Sequence, residues 1–124
     1  MKIGIIGFGA IGFDVAKKLD QEKDQFNVIG VHSRTKNKII DKTTSFNSPL
    51  RYLSLDEICK KCDVVIDCAP KEAFKEIIQK CLDCKTKLIT VSGAGILENL
   101  EIINKAKEKS TPVSYTHLRA HETQ

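Results

Sequence analysis

Gly7-Phe8-Gly9-Ala10-Ile11-Gly12 lies between a short apolar run, Lys2 to Ile6, and an amphipathic pattern that opens near Ala10. Strand, glycine turn and helix in that order make a dinucleotide fingerprint, because each glycine answers a separate steric demand. Gly7 permits the tight strand-to-helix turn, Gly9 lets a pyrophosphate approach the backbone, and Gly12 lets the helix sit close to the strand. The unpaired N–H groups and the positive dipole end of the helix then stabilise a diphosphate without any charged side chain. Phe8, Ala10 and Ile11 complete the stretch expected to meet the cofactor.

Outward from this turn, strands and helical patterns alternate, which predicts a doubly wound, mostly parallel α/β sheet with crossover helices. Ile11, Val15 and Leu19 recur every four residues and predict one apolar stripe on the first helix. Phe26 to Val31 reads as the second strand, and the polar stretch Thr35 to Pro49 as a short irregular helix or loop. Ser54 with Glu57 forms an S-x-x-E capping box, and Leu53 with Ile58 fits a hydrophobic staple. Asp63 to Cys68, a continuous β-branched run, predicts a buried central strand. Pro70 suits the start of the following helix, whose apolar positions Ala73, Phe74, Ile77, Ile78 and Cys81 recur at three and four residues. Lys87 to Val91 reads as the next strand, ending in Ser92-Gly93-Ala94-Gly95, and Glu98 to Lys109 as the last clear helix.

Ligands of open parallel sheets bind outside the carboxyl ends of the strands, so Ala69, Pro70, Ser92 and Gly93 are expected to join the glycine turn along one crevice. The end of the second strand discriminates between cofactors, since an acidic residue there binds the ribose hydroxyls of NAD. Here the sequence is His32-Ser33-Arg34-Thr35, with hydroxyls and a guanidinium suited to a 2′-phosphate. NADP or NAD is the expected cofactor, with NADP favoured; the competing reading of Arg34 is a solvent-exposed loop residue. His32 stands at the adenine side, the wrong end of a dinucleotide for catalysis. Cys68 and Ser92 are near the reacting end by location alone and read as packing or backbone-positioning residues, so no catalytic residue is assigned.

The chain has 124 residues, 41% hydrophobic and 29% charged, which suits one soluble globular domain and is short for a two-domain enzyme. No apolar run approaches the roughly 20 residues of a membrane span, and no signal-peptide pattern precedes the first strand, so no membrane association and a cytoplasmic location are expected. The net charge of +4 comes from lysines scattered along the chain without interleaved aromatics, which argues for solvated helix faces and against a nucleic-acid surface. Cys59-Lys60-Lys61-Cys62 and Cys81-Leu82-Asp83-Cys84 have a spacing reminiscent of zinc sites. Cys59 and Cys81 fall on apolar helix positions, however, and small buried thiols explain them more simply than a metal or redox pair; no metal is expected.

The stretches KIGIIGFGAIG (2–12), VVIDCAPKEAFKEI (64–77) and KLITVSGAGI (87–96) together resemble L-aspartate dehydrogenase over residues 1 to about 112. The resemblance implies a Rossmann domain that holds NAD or NADP, and a parent enzyme interconverting L-aspartate with oxaloacetate and ammonia through iminosuccinate, in nicotinamide-ring biosynthesis. It implies cofactor contacts at Phe8, Gly9, Ala10 and Ile11, and at Ser33, Arg34, Ala69, Pro70 and Ser92. It also implies a small amino-acid substrate and a homo-oligomer for the full-length parent. The glycine turn by itself fits homoserine dehydrogenase or dihydrodipicolinate reductase equally well, and a non-catalytic NAD(P)-sensing module is the alternative of another class.

That family would continue with a sixth strand, a glycine-rich segment and a catalytic domain carrying an active-site histidine. Instead, residues 113 to 123, Val-Ser-Tyr-Thr-His-Leu-Arg-Ala-His-Glu-Thr, reproduce in order the translation of a widely used transposase-type sequencing adapter. The expected organisation is therefore a dinucleotide-binding domain over 1–112, truncated before its catalytic domain and itself inactive, followed by a non-native tail over 113–124. His117 and His121, four residues apart, are accordingly not read as metal ligands.

Overall fold

The strand β1 (Lys2–Ile6) lies inside the sheet, with parallel neighbours on both sides. The computed structural model describes residues 1–22, 24–34, 46 and 50–91, and the backbone of 113–115. After β1 come α1 (Ala10–Gln21), β2 (Asn27–His32), α2 (Leu55–Lys61), β3 (Val64–Asp67), a 3-10 turn (Lys71–Ala73), α3 (Phe74–Cys84), β4 (Lys87–Thr90) and β5 (Val113–Tyr115). The sheet order is β2-β1-β3-β4-β5, every pair parallel. An isolated parallel bridge between Val31 and Tyr52 extends the sheet beyond β2. The chain thus runs outward from β1 in one direction, crosses back beneath α2, and runs outward in the other. This is the doubly wound topology expected, and its reversal point lies between β1 and β3.

Alternate residues of β1 face opposite layers, as the pleat requires. Ile3 and Ile5 pack with Val28, Val31 and Ala16 of α1, whereas Ile6 packs with Ile58 and Cys59 of α2 and with Phe74, Ile77, Ile78 and Cys81 of α3. The expected capping box at Ser54 is present. Ser54 Oγ accepts from the Glu57 N–H and Glu57 Oε1 accepts from the Ser54 N–H, each at 3.2 Å. Leu53 and Ile58 lie together in the core beneath this cap. Phe26 and Val91 fall just outside β2 and β4, and Asp63 and Cys68 just outside β3.

Two expectations need correction. On α1 the buried line is Gly12, Ala16 and Asp20, while Ile11, Val15 and Leu19 are only half buried. The helix approaches the sheet so closely that its smallest side chains face it, and the larger ones flank the contact. The second correction concerns residues 113–115, for which no strand pattern was found. They form β5, with Leu88 opposite Val113 and Thr90 opposite Tyr115. The outer edge of β4 offers a row of unpaired backbone groups, and an extended trio satisfies them through its main chain whatever its side-chain pattern. The expected loop over 35–49, apart from Phe46, and the expected helix over 98–109 lie outside the described residues.

Candidate functional site

Gly7 leaves β1 with φ +89°, a backbone region that L side chains rarely adopt. A Cβ there would stand 2.7 Å from the Ala69 nitrogen and Cα and from the Cys68 carbonyl carbon, all backbone atoms. The turn is thus wedged against the chain leaving β3. It is tied as well to β2, because the Gly7 N–H donates to the His32 carbonyl at 2.7 Å. A Cβ on Gly12 would overlap the Gly7 carbonyl oxygen, which fixes how tightly α1 sits on the turn. Gly9 differs from both: a Cβ there meets nothing within 4 Å. Among the described residues, nothing therefore requires a glycine here, and the position is open.

Gly9 is the N-cap of α1, at φ −80° and ψ −157°, with no side chain capping the helix and no acidic residue in its first turn. Its carbonyl accepts the first helical bond, from the Phe13 N–H at 2.9 Å. The N–H groups of Ala10, Ile11 and Gly12 precede that bond, so the helix offers them no acceptor. Gly9 and Ala10 are exposed and Ile11 is half buried. Open space, amide donors and a positive helix end meet at one point, which is the chemistry that a diphosphate requires. Phe8 contributes differently. Its side chain is buried and meets Phe13 edge-on at 5.6 Å and Phe46 at 6.3 Å, so only its backbone faces the turn.

The neighbouring strand ends supply the rest of the crevice. Ser33 is half buried and Arg34 exposed, both immediately beyond β2. His32 is the last residue of β2 rather than a loop residue. Its Nδ1 lies 2.9 Å from the Leu53 carbonyl, which can only accept, so Nδ1 carries a proton; its ring lies 5.3 Å from that of Tyr52. Ala69 and Pro70 follow β3; Ala69 stands beside Gly7, and Pro70 is exposed ahead of the 3-10 turn. The expected contacts at Ser92 and Gly93 lie outside the described residues.

Sequence reasoning overlooked Asp67 and Thr90. Asp67 ends β3 fully buried; its Oδ1 accepts from the Ala69 N–H at 2.9 Å and its Oδ2 from the Thr90 hydroxyl at 2.8 Å. Burial pushes the Asp67 carboxyl above the ordinary carboxylate range, against the opposing effect of those two hydrogen bonds. A signal was available: a polar residue ends two strands that the register then pairs, Asp67 opposite Thr90.

The two CxxC pairs approach each other across the α2–α3 contact. Cys59 and Cys81 touch across the α2–α3 contact, with sulfurs 3.8 Å apart, while Cys62 packs against β1 at Gly4. Among the described residues no group of three or more His, Cys, Asp or Glu side chains is placed to hold a metal ion. Burial pushes the Cys62 thiol up to about 11 and that of Cys68 to about 12.

Comparison with known proteins places this chain in a family. The model described as "Homoserine dehydrogenase, NAD binding domain" matches residues 7–116, from the glycine turn through β5. The chain belongs to this NAD-binding domain family. Its curated relatives are L-aspartate dehydrogenases, as the three-stretch resemblance implied. One from Bordetella bronchiseptica, L-aspartate dehydrogenase 3, is 30% identical over 105 residues, 84% of this chain and 39% of that protein. Another, from Methanocaldococcus jannaschii, is 30% identical over 116 residues, 91% of this chain and 42% of that protein. The chain thus spans well under half the length of these relatives. Among solved structures, UDP-N-acetylglucosamine 3-dehydrogenase from Acidithiobacillus ferrooxidans matches with a TM-score of 0.80 at 16% identity, covering 96% of this chain and 39% of that one. Biliverdin reductase from Synechocystis sp. PCC 6803, in complex with biliverdin and NADP+, matches with a TM-score of 0.77 at 12% identity, covering 94% and 37%. At such identities these structures establish the fold alone. The cofactor class of the domain is NAD or NADP.

Proposed function

We propose that this NAD-binding domain is the cofactor-holding part of an NAD(P)-dependent L-aspartate dehydrogenase. The observation that carries the reading is the open cradle at Gly9, which no atom of the described residues fills, set at an uncapped helix start between the ends of β1, β2 and β3. The backbone of Gly7 through Gly12 holds the diphosphate, Ser33 and Arg34 face the adenosine ribose, and Ala69 and Pro70 border the side toward the nicotinamide. Bound there, a nicotinamide dinucleotide supplies a hydride carrier. What these residues do is bind and orient it; the groups that move protons on the substrate belong to the catalytic domain that the family resemblance implies. L-aspartate as substrate is proposed from the relatives' names, and homo-oligomeric assembly and a cytoplasmic location are part of the same proposal. Among the described residues no helix is long and apolar enough to cross a membrane.

Arg34 beside Ser33 favours NADP, since a guanidinium pairs with a 2′-phosphate and no carboxylate is present to bind ribose hydroxyls. Fluorescence titration with NADPH and NADH tests this: Arg34→Ala weakens NADPH by about tenfold, a discounted value for an exposed charge, and leaves NADH unchanged. Tighter NADH binding that is indifferent to Arg34→Ala rejects the preference. The substrate is tested on the complete reading frame by aspartate-dependent reduction of NAD(P)+. Activity with homoserine in place of aspartate rejects it. Residues 113–124 are proposed as a tail foreign to this domain, on the strength of their match to the adapter translation. Sequencing the genomic locus through codon 124 tests that; an unbroken native frame encoding these residues rejects it.

A further inference from the structure

The Asp67 carboxylate lies beneath the crevice, and the cofactor reading makes no use of it. The strand it ends reads Val64-Val65-Ile66, and an apolar residue would continue that run at no electrostatic cost. Taking a carboxylate out of water is expensive unless its oxygens are hydrogen-bonded. Both are, and the partners are specific: the Ala69 N–H at 2.9 Å on one oxygen and the Thr90 hydroxyl at 2.8 Å on the other. Thr90 lies directly opposite Asp67 in the β3–β4 register, so the two strand ends are joined where they open into the crevice. Ala69, in turn, is the residue whose backbone bounds Gly7, 2.7 Å from where a Cβ on that glycine would stand. A continuous line of contact therefore runs from β4 through Asp67 and Ala69 to the glycine turn on β1.

We propose that Asp67 is a positioning residue for the dinucleotide: through the Ala69 N–H it sets the Cys68–Pro70 turn against Gly7, and so fixes the opening at which the diphosphate is held. Asp67 touches no ligand itself and acts through the backbone of Ala69. The inference rests on the crevice reading given under Proposed function. Asparagine at this position keeps an oxygen for the Ala69 N–H and presents an amide to the Thr90 hydroxyl, which then accepts. Alanine keeps neither.

The test uses the full 124-residue chain and its variants, checked for native secondary structure by circular dichroism. Asp67→Ala is expected to weaken NADPH binding about tenfold, and Asp67→Asn to restore it to within about threefold of the parent, as loss of the hydrogen bond and its replacement by a neutral one imply. The Ala69 and Gly7 amide resonances move in Asp67→Ala and return in Asp67→Asn. A merely structural residue would lower the melting temperature of the alanine variant and leave binding by its folded molecules unchanged. If folded Asp67→Ala binds NADPH within about twofold of the parent, the proposal is overturned while the cofactor reading stands. If the parent itself fails to bind NADPH or NADH, the cofactor reading falls, and unmoved Ala69 and Gly7 amides in Asp67→Ala would then overturn the positioning role separately. Should Asp67→Ala not fold, Asp67→Val, similar in shape and β-branched like its neighbours, carries the same outcomes.

Discussion

Gly7→Ala and Gly9→Ala add one methyl group each to the same turn, two residues apart, and should fail in opposite ways. At Gly7 the backbone has φ +89°, and the new Cβ would stand 2.7 Å from three backbone positions of Cys68 and Ala69. Forcing an L residue into left-handed backbone costs roughly 1–2 kcal/mol. Relieving a clash with main chain, which cannot swing aside as a side chain can, costs roughly 1–3 kcal/mol more. The sum, about 2–5 kcal/mol, is a large part of the roughly 5–15 kcal/mol that holds a domain together. At about 4 °C per kcal/mol for a chain of this size, Gly7→Ala should melt about 8–20 °C below the parent. At Gly9 the backbone is extended, at φ −80°, and the methyl meets nothing within 4 Å. Only the weaker N-cap preference of alanine opposes it, about 0.5–1 kcal/mol. Its methyl would occupy the space that the proposed cofactor's phosphates need, so NADPH binding should fall by about tenfold or more. Thermal melting by circular dichroism and NADPH fluorescence, free of tryptophan emission because the chain has no Trp, read the two effects independently. The reasoning is refuted if Gly9→Ala binds NADPH as tightly as the parent, or if Gly7→Ala melts no lower than Gly9→Ala.

Three further outcomes follow from the geometry. Ser54→Ala removes one half of the capping box on α2 and should cost about 1 kcal/mol; a melting temperature equal to that of the parent would show that the cap holds nothing in place. Because burial raises the Asp67 carboxyl, the folded chain keeps that proton to higher pH than the unfolded chain, and stability falls as pH rises from the ordinary carboxylate range through the raised value. Asp67→Asn carries no such penalty, so its melting temperature should gain on the parent at neutral pH and lose that advantage as pH falls toward 4. An advantage that grows on acidification contradicts the sign. Among the thiols, Cys59, Cys62 and Cys81 are buried and Cys68 is pushed up to about 12, which leaves half-exposed Cys84 to react first with an alkylating reagent at pH 8. Peptide mapping that finds Cys68 labelled ahead of Cys84 would contradict this.

Much of this architecture is legible in the chain because its strongest signals are local. A strand, a glycine turn and a helix within the first 21 residues, a capping box at Ser54 and a β-branched run at 64–66 each declare themselves within a few positions. The misreadings arise where a neighbour decides. Periodicity on α1 selects the largest apolar residues, yet the helix turns Gly12 and Ala16 inward because close approach to the Gly7 carbonyl leaves no room for Ile or Leu. Backbone pairing along β4 draws residues 113–115 into a strand that their side-chain pattern did not signal. Within the site, Gly7, Gly9 and Gly12 were legible one by one. Asp67 was not, since its meaning depends on Thr90, more than twenty positions away in sequence and adjacent only in the register.

The central claim is that a dinucleotide lies across the carboxyl ends of β1, β2 and β3, with its phosphates at Gly9. Chemical-shift mapping of backbone amides on titration with NADPH tests it most directly. Saturable shifts concentrated at Gly7 to Gly12, Ser33, Arg34 and Ala69, and abolished by Gly9→Ala, are the result expected. Shifts confined to the outer face of α3, around Lys75 to Asp83, or unchanged by Gly9→Ala, would contradict it.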